Sequence, residues 1–279
     1  MSPHATVRFT RMTRQHRGEV SRVDMTTERR RRIEELVKKI PTLTDGQIYW
    51  LESVIRVLES PHSFKIVRDD FFNKTALEDF GDALRIHHSF SAEPFSKDKF
   101  EFVLEKVLNM SGHSASLAPR GNRGYDIVID GVKVSLKTQA DKGIQEDKIW
   151  ISKFMELGKG HWGDDPKDLY RLRDLFLAHL GGYQRIMILR ALEKGPRWRY
   201  ELVEIPKKVL MAAASGEIEM KTDSTQFPKP GYCYVRTPKK QDMYQLYFDA
   251  GGERKLQVKN LSKKYCVVHA TWQFLIPQE

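Results

Sequence analysis

Apolar positions along the chain change period more than once, and the changes divide it into regions. Residues 1–24 are polar and basic and show no period. "TTERRRRIEELVKKI" then reads as a helix, with Thr at its cap, Glu in its first turn and Lys late, and Pro41 ends it. A second helix, "LTDGQIYWLESVIRVLES", carries Ile48, Leu51, Val54, Ile55 and Leu58 on one side and closes at Pro61. "KTALEDFGDALRIHH" is a third. These segments predict a basic arm over 1–24, read as disordered, and a helical subdomain over 25–90. The first two helices are read either as a DNA-binding helix-turn-helix or, with the long Pro41 connection between them, as a packing or dimerisation element.

From residue 95 the pattern mixes helix and strand. "FSKDKFEFVLEKVLNMSG" is amphipathic and ends at Gly112. "HSASLAP" is a short strand, "RGNRG" a basic glycine loop, and "GYDIVIDGVKVSLKTQ" a hairpin. "ISKFMELGKG" is expected to start a helix with Ser152 as its cap, and "DPKDLYRLRDLFLAHLGG" is a clear helix with Pro166 in its first turn. Two strands, a short helix and a strand-rich tail follow.

The hairpin concentrates the chemistry. Asp130-Gly131 suits a two-residue turn whose central residues both need positive φ. In that register Ile127, Ile129, Val132, Val134 and Leu136 share a core face. Asp126, Val128, Lys133, Ser135, Lys137 and Gln139 share the other, bringing Asp126 and Lys137 within reach of one small ligand. Taken alone, such a pair also fits a solvated strand face.

Charge adds a partner. Lys and Arg total 47 against 37 acids, a net +10, which favours a polyanion, most simply nucleic acid. Hydrophobic residues at 40% supply a core. Cys233 and Cys266 form no metal-ligand spacing and suit a reducing cytoplasm. No apolar run approaches the roughly 18 residues of a membrane helix. The nine histidines form no HxxxH pair, and Trp150 and Trp162 read as core.

A helix followed by a hairpin with an aspartate on one strand and X-x-Lys on the next resembles the PD-(D/E)XK nuclease superfamily over about residues 95–205. The resemblance implies an α/β (α+β) fold, a restriction-endonuclease-like mixed central sheet flanked by helices, in a nuclease domain over 91–279. It implies that Asp126 holds Mg²⁺ and that Lys137 assists the attacking water. Ser135 stands where the pattern has its second acid, and Tyr125 precedes Asp126 where the pattern has proline. Ser-x-Lys is similar to a group of type II restriction endonucleases with CCGG-containing targets, in which a glutamate from the following helix supplies the missing carboxylate. That implies Glu156 as second metal ligand, with Glu146 as fallback. Glu105 could hold a metal-bound water, although a solvated helix face suits it better.

Arg120, Arg123, Arg171 and Arg173 are candidate DNA contacts, and so is Gln139. The function implied is Mg²⁺-dependent, site-specific cleavage of double-stranded DNA by a cytoplasmic homodimer with no membrane association. The alternatives are a non-catalytic DNA-binding protein on a decayed nuclease fold, and a structure-specific repair nuclease.

Overall fold

A computed structural model describes residues 27–122, 124–158 and 160–277. The arm over 1–24 and Arg123 lie outside the described residues. Packing divides the chain after Glu52. The first unit holds α1 (Thr27–Lys39) and the start of α2 (Asp45–Glu59). Glu28 and Glu35 both bond Arg31 along α1, and no residue of that helix is buried.

The second unit holds the rest. A seven-stranded sheet contains β1 (His62–Ile66), β2 (Ala115–Leu117), β3 (Ile127–Ile129), β4 (Val132–Gln139), β6 (Arg185–Glu193), β7 (Arg197–Glu204) and β12 (Val267–Leu275) in the order β1-β12-β7-β6-β4-β3-β2. A five-stranded sheet contains β5 (Lys148–Glu156), β8 (Glu217–Met220), β9 (Gly231–Arg236), β10 (Asp242–Asp249) and β11 (Lys255–Ser262) in the order β5-β11-β10-β9-β8. Every pairing is antiparallel except β4 with β6. The chain between those two parallel strands supplies β5 and α5 (Pro166–His179). This is the mixed α+β architecture of restriction-endonuclease-like folds.

Helices cover one face of the larger sheet. Asn73 caps α3 (Lys74–His88) by accepting from Ala76 N at 2.8 Å, and Ser96 caps α4 (Lys97–Met110). Phe80, Leu84, Phe100, Leu104 and Leu108 of these helices join Ile127, Ile129, Val134 and Leu136 in one core. A second core joins α5, α6 (Lys207–Met211) and the inner face of the smaller sheet to the other face of the larger one.

Three expectations change. The helical subdomain does not extend to residue 90: β1 pairs with β12, and α3 belongs to the main core. That pairing joins positions some two hundred residues apart, which local periodicity does not reveal. "ISKFMELG" is not a helix but most of β5, paired with β11. Ile149 and Ile151 point inward while Trp150 and Ser152 point out, a two-residue period, so Ser152 caps nothing. Trp150 is exposed and donates to Gln257 at 3.3 Å, whereas Trp162 is buried as expected.

Candidate active site

The site begins at the turn. Asp130 and Gly131 have φ of 49° and 81°, and Ile127 faces Val134, Val128 faces Lys133 and Ile129 faces Val132. With that register fixed, Asp126 N bonds Val134 O at 2.9 Å, and its carboxylate comes to rest over the start of β4. Asp126 Oδ2 accepts from Leu136 N at 2.6 Å and from Ser135 Oγ at 3.1 Å. Lys137 Nζ donates to the same Ser135 Oγ at 3.0 Å. Ser135 therefore links lysine to aspartate, and each of the three groups sets the direction of the next. The glycine loop is drawn close by contact with the turn after α5, where a Cβ on Gly182 would lie 3.1 Å from Gly124 Cα.

The other oxygen of the aspartate meets a residue that the hairpin alone does not reveal. Asp126 Oδ1 accepts from Lys97 Nζ at 2.6 Å, and the same ammonium donates to Glu101 Oε1 at 3.1 Å. Lys97 and Glu101 are one turn apart on α4, so the helix lays a second carboxylate beside the first. Spacing of i and i+4 is common in solvated surface pairs, and only packing of α4 against the sheet distinguishes this one. Glu105, a further turn along, faces elsewhere and accepts from Leu117 N at 2.9 Å.

Burial and charge tune these groups. Burial raises the Asp126 carboxyl, but Lys137, Lys97 and the Leu136 N–H together outweigh it and hold Asp126 below the usual carboxylate range. Glu101 is raised, by burial above all, with Lys97 opposing and Asp126 and Asp98 adding. Burial lowers the Lys137 ammonium to about 8 against the pull of Asp126. Its Nζ lies 5.5 Å from the centre of the Phe154 ring. His179 is lowered by burial and by Lys137, so it stands neutral beside them at pH 7. The Tyr183 hydroxyl is buried without a hydrogen-bond partner among the described residues, and burial raises its pKa.

A cavity of about 620 Å³ opens over this cluster, lined by Asp126, Ser135, Lys137, Lys97, His179 and Glu156 among others. Glu156 reaches it from the end of β5 rather than from a helix. Its side chain is 67% exposed and bonds Lys153 at 3.0 Å, whereas that of Glu101 is 21% exposed. Glu146 is paired with Arg199 at 2.9 Å; neither it nor Glu101 is a lining residue of the cavity, and Glu101 meets it only through Lys97, which is one. Among the described residues no three carboxylate, imidazole or thiol groups gather as a ready ligand set.

The candidate DNA contacts scatter. Arg120 is exposed where the glycine loop begins, next to Gly121 and Asn122 on the cavity wall. Arg171 bonds buried Asp168 and lines a smaller cavity that shares Leu157, Gly158 and Leu175 with the first. Arg173 pairs with Asp174 at 2.9 Å over the Tyr170 ring. Gln139 is buried and accepts from Arg190 at 2.8 Å. It thus joins the network that holds the 145–148 segment and is not a lining residue of the cavity.

Comparison with known proteins supplies the family. A family model described as SmaI, type II site-specific deoxyribonuclease, matches residues 36–274. The type II restriction enzyme SmaI of Serratia marcescens is 40% identical over 235 residues, covering 84% of this chain and 92% of that one. The family match takes in α4, the hairpin, β5 and α5, every element that contributes to the cavity, and the chain belongs to the SmaI family of type II site-specific deoxyribonucleases.

Proposed function

We propose that this restriction endonuclease cuts each strand of duplex DNA at the cavity over β4, with Mg²⁺ held by Asp126 and Glu101. The observation that carries the reading is the chain of contacts from Lys137 through Ser135 to Asp126, continued through Lys97 to Glu101. The donor set suits the ion. Mg²⁺ takes hard oxygen ligands, usually one or two carboxylates completed by water and substrate phosphate. Asp126 is held anionic, and Glu101 shares a cation with it. When bound, the ion would polarise the scissile phosphate and make a coordinated water easier to deprotonate.

The remaining work falls to side chains of this chain. Lys137, with its pKa lowered to about 8, can donate to the developing charge or exchange a proton with the attacking water near neutral pH. Ser135 has no charge to replace the missing acid; it orients Lys137 and Asp126 toward one another. Arg120 and Arg171 supply phosphate contacts beside the cavity, with Arg173 further along α5, and Arg123 stays a candidate contact on its sequence alone. The described residues of one chain form one such site, so cleaving both strands calls for a homodimer on a twofold target. Cys233 and Cys266 are free thiols, which suits work in the cytoplasm. No described helix is long and apolar enough to cross a membrane.

The sequence pattern implied Glu156 as the second acid, and Glu101 is preferred here because it is less solvated and shares an ammonium with Asp126. Glu101→Gln, Glu156→Gln and Glu146→Gln compared across Mg²⁺ concentration separate the candidates. Loss of cleavage at low Mg²⁺ in Glu101→Gln is expected. Loss in Glu156→Gln alone would move the ion toward β5, and full activity in all three would refute the two-carboxylate site.

A further inference from the structure

Lys97 is the first residue of α4. A cation at this end opposes the helix dipole, so the helix itself does not favour it there. Two carboxylates do, because Asp126 and Glu101 both bond its ammonium. With Lys137 beside them, the cluster contains two carboxylates and two ammoniums and is balanced before any ion arrives. Lys97 also lines the cavity, and its side chain is 41% exposed. Its long stem can therefore swing into the opening without disturbing the core.

We propose that Lys97 is the built-in counter-ion of the metal-free enzyme, occupying the place between Asp126 and Glu101 that the divalent ion takes, so that loading the site is an exchange of one cation for another. The inference rests on the assignment of those two carboxylates to the ion. Lys97 acts through them and is a positioning residue. In the free enzyme it keeps two like charges together at the helix start. Its cost is a weaker apparent affinity for the ion, since each ion bound must break both of its contacts.

The test is Ca²⁺ binding to the full-length protein without DNA, measured by calorimetry, together with thermal melting in EDTA. Wild type, Lys97→Met, Lys97→Arg and Asp126→Asn are compared. Lys97→Met should bind Ca²⁺ about tenfold more tightly, the change expected when a competing interaction of about 1.4 kcal/mol is removed. It should melt lower than wild type in EDTA, and saturating Ca²⁺ should remove that deficit. Lys97→Arg, which keeps a cation able to meet both carboxylates, should follow wild type in both measurements. Should Lys97→Met misfold, Lys97→Gln is scored by the same criteria. Unchanged or weaker Ca²⁺ binding in the folded variant overturns the counter-ion role while leaving the metal site standing. A wild type whose Ca²⁺ uptake is absent, or is unaffected by Asp126→Asn, overturns the metal assignment and this proposal with it.

Discussion

Lys137→Met should make the metal-free protein more stable while removing its activity. Lys137 is 9% exposed, and burial moves its ammonium from the ordinary 10.5 to about 8 despite the nearby Asp126. The folded chain therefore gives up this proton at lower pH than the unfolded chain does. Between about pH 8 and 10.5 the unfolded state holds more protons, so this group makes stability rise with pH across that window. Below pH 8 both states are protonated, and the cost of burying the charge is felt in full. At about 1.36 kcal/mol per pH unit that cost is on the order of 3 kcal/mol. Methionine fills similar space against Phe154 and carries no charge. The attraction of Asp126 is already contained in that figure, but the donor to Ser135 is also removed, which brings the expected gain to roughly 2 kcal/mol at pH 7. Urea unfolding in EDTA at pH 7, 8, 9 and 10, followed by tryptophan fluorescence, measures it. The advantage of Lys137→Met over wild type should shrink steadily above pH 8. A difference that does not change with pH, or a variant less stable at pH 7, would refute the reasoning.

Two other outcomes follow from the same geometry. Gly131→Ala should cost about 1–2 kcal/mol in chemical unfolding, because φ there is 81° while a Cβ would meet nothing within 4 Å, so the penalty is one of backbone alone; a neutral substitution would contradict the turn. DNA affinity measured in Ca²⁺ should fall with salt by about 0.9 log unit per log unit for each phosphate neutralised, and Arg171→Ala should lower that slope by about one; an unchanged slope would remove Arg171 from the interface.

The hairpin was legible because two short-range signals agreed. Asp-Gly fixed the turn, and strict alternation fixed which side chains met, so Asp126, Ser135 and Lys137 could be placed together from sequence. The helices over α1 to α5 were legible from caps and period for the same reason. The second carboxylate was not, because its position depends on how α4 lies on the sheet rather than on anything along α4. Lys97 and Glu101 look like any exposed pair along the sequence, and Glu105, which reads from sequence as part of a solvated helix face, is instead tied to Leu117 N. β5 is not legible from Ile151 onward, because the alternation depends on Ile149 before it and breaks at Lys153, where two exposed residues stand together. β1 was missed because its partner, β12, lies at the far end of the chain. Gln139 shares the polar face of β4, as expected, but buried Arg190 takes its amide.

Single-turnover cleavage of a duplex substrate by Asp126→Asn, with DNA binding in Ca²⁺ measured in parallel, tests the site most directly. The variant keeps the size of the side chain and its contacts to Ser135 and Leu136 while removing the charge that Lys97 and the ion share. Cleavage in Mg²⁺ is predicted to fall by at least about a thousandfold, a loss of roughly 4 kcal/mol of transition-state stabilisation, with the duplex still bound. Cleavage at the wild-type rate would place the chemistry somewhere other than this hairpin.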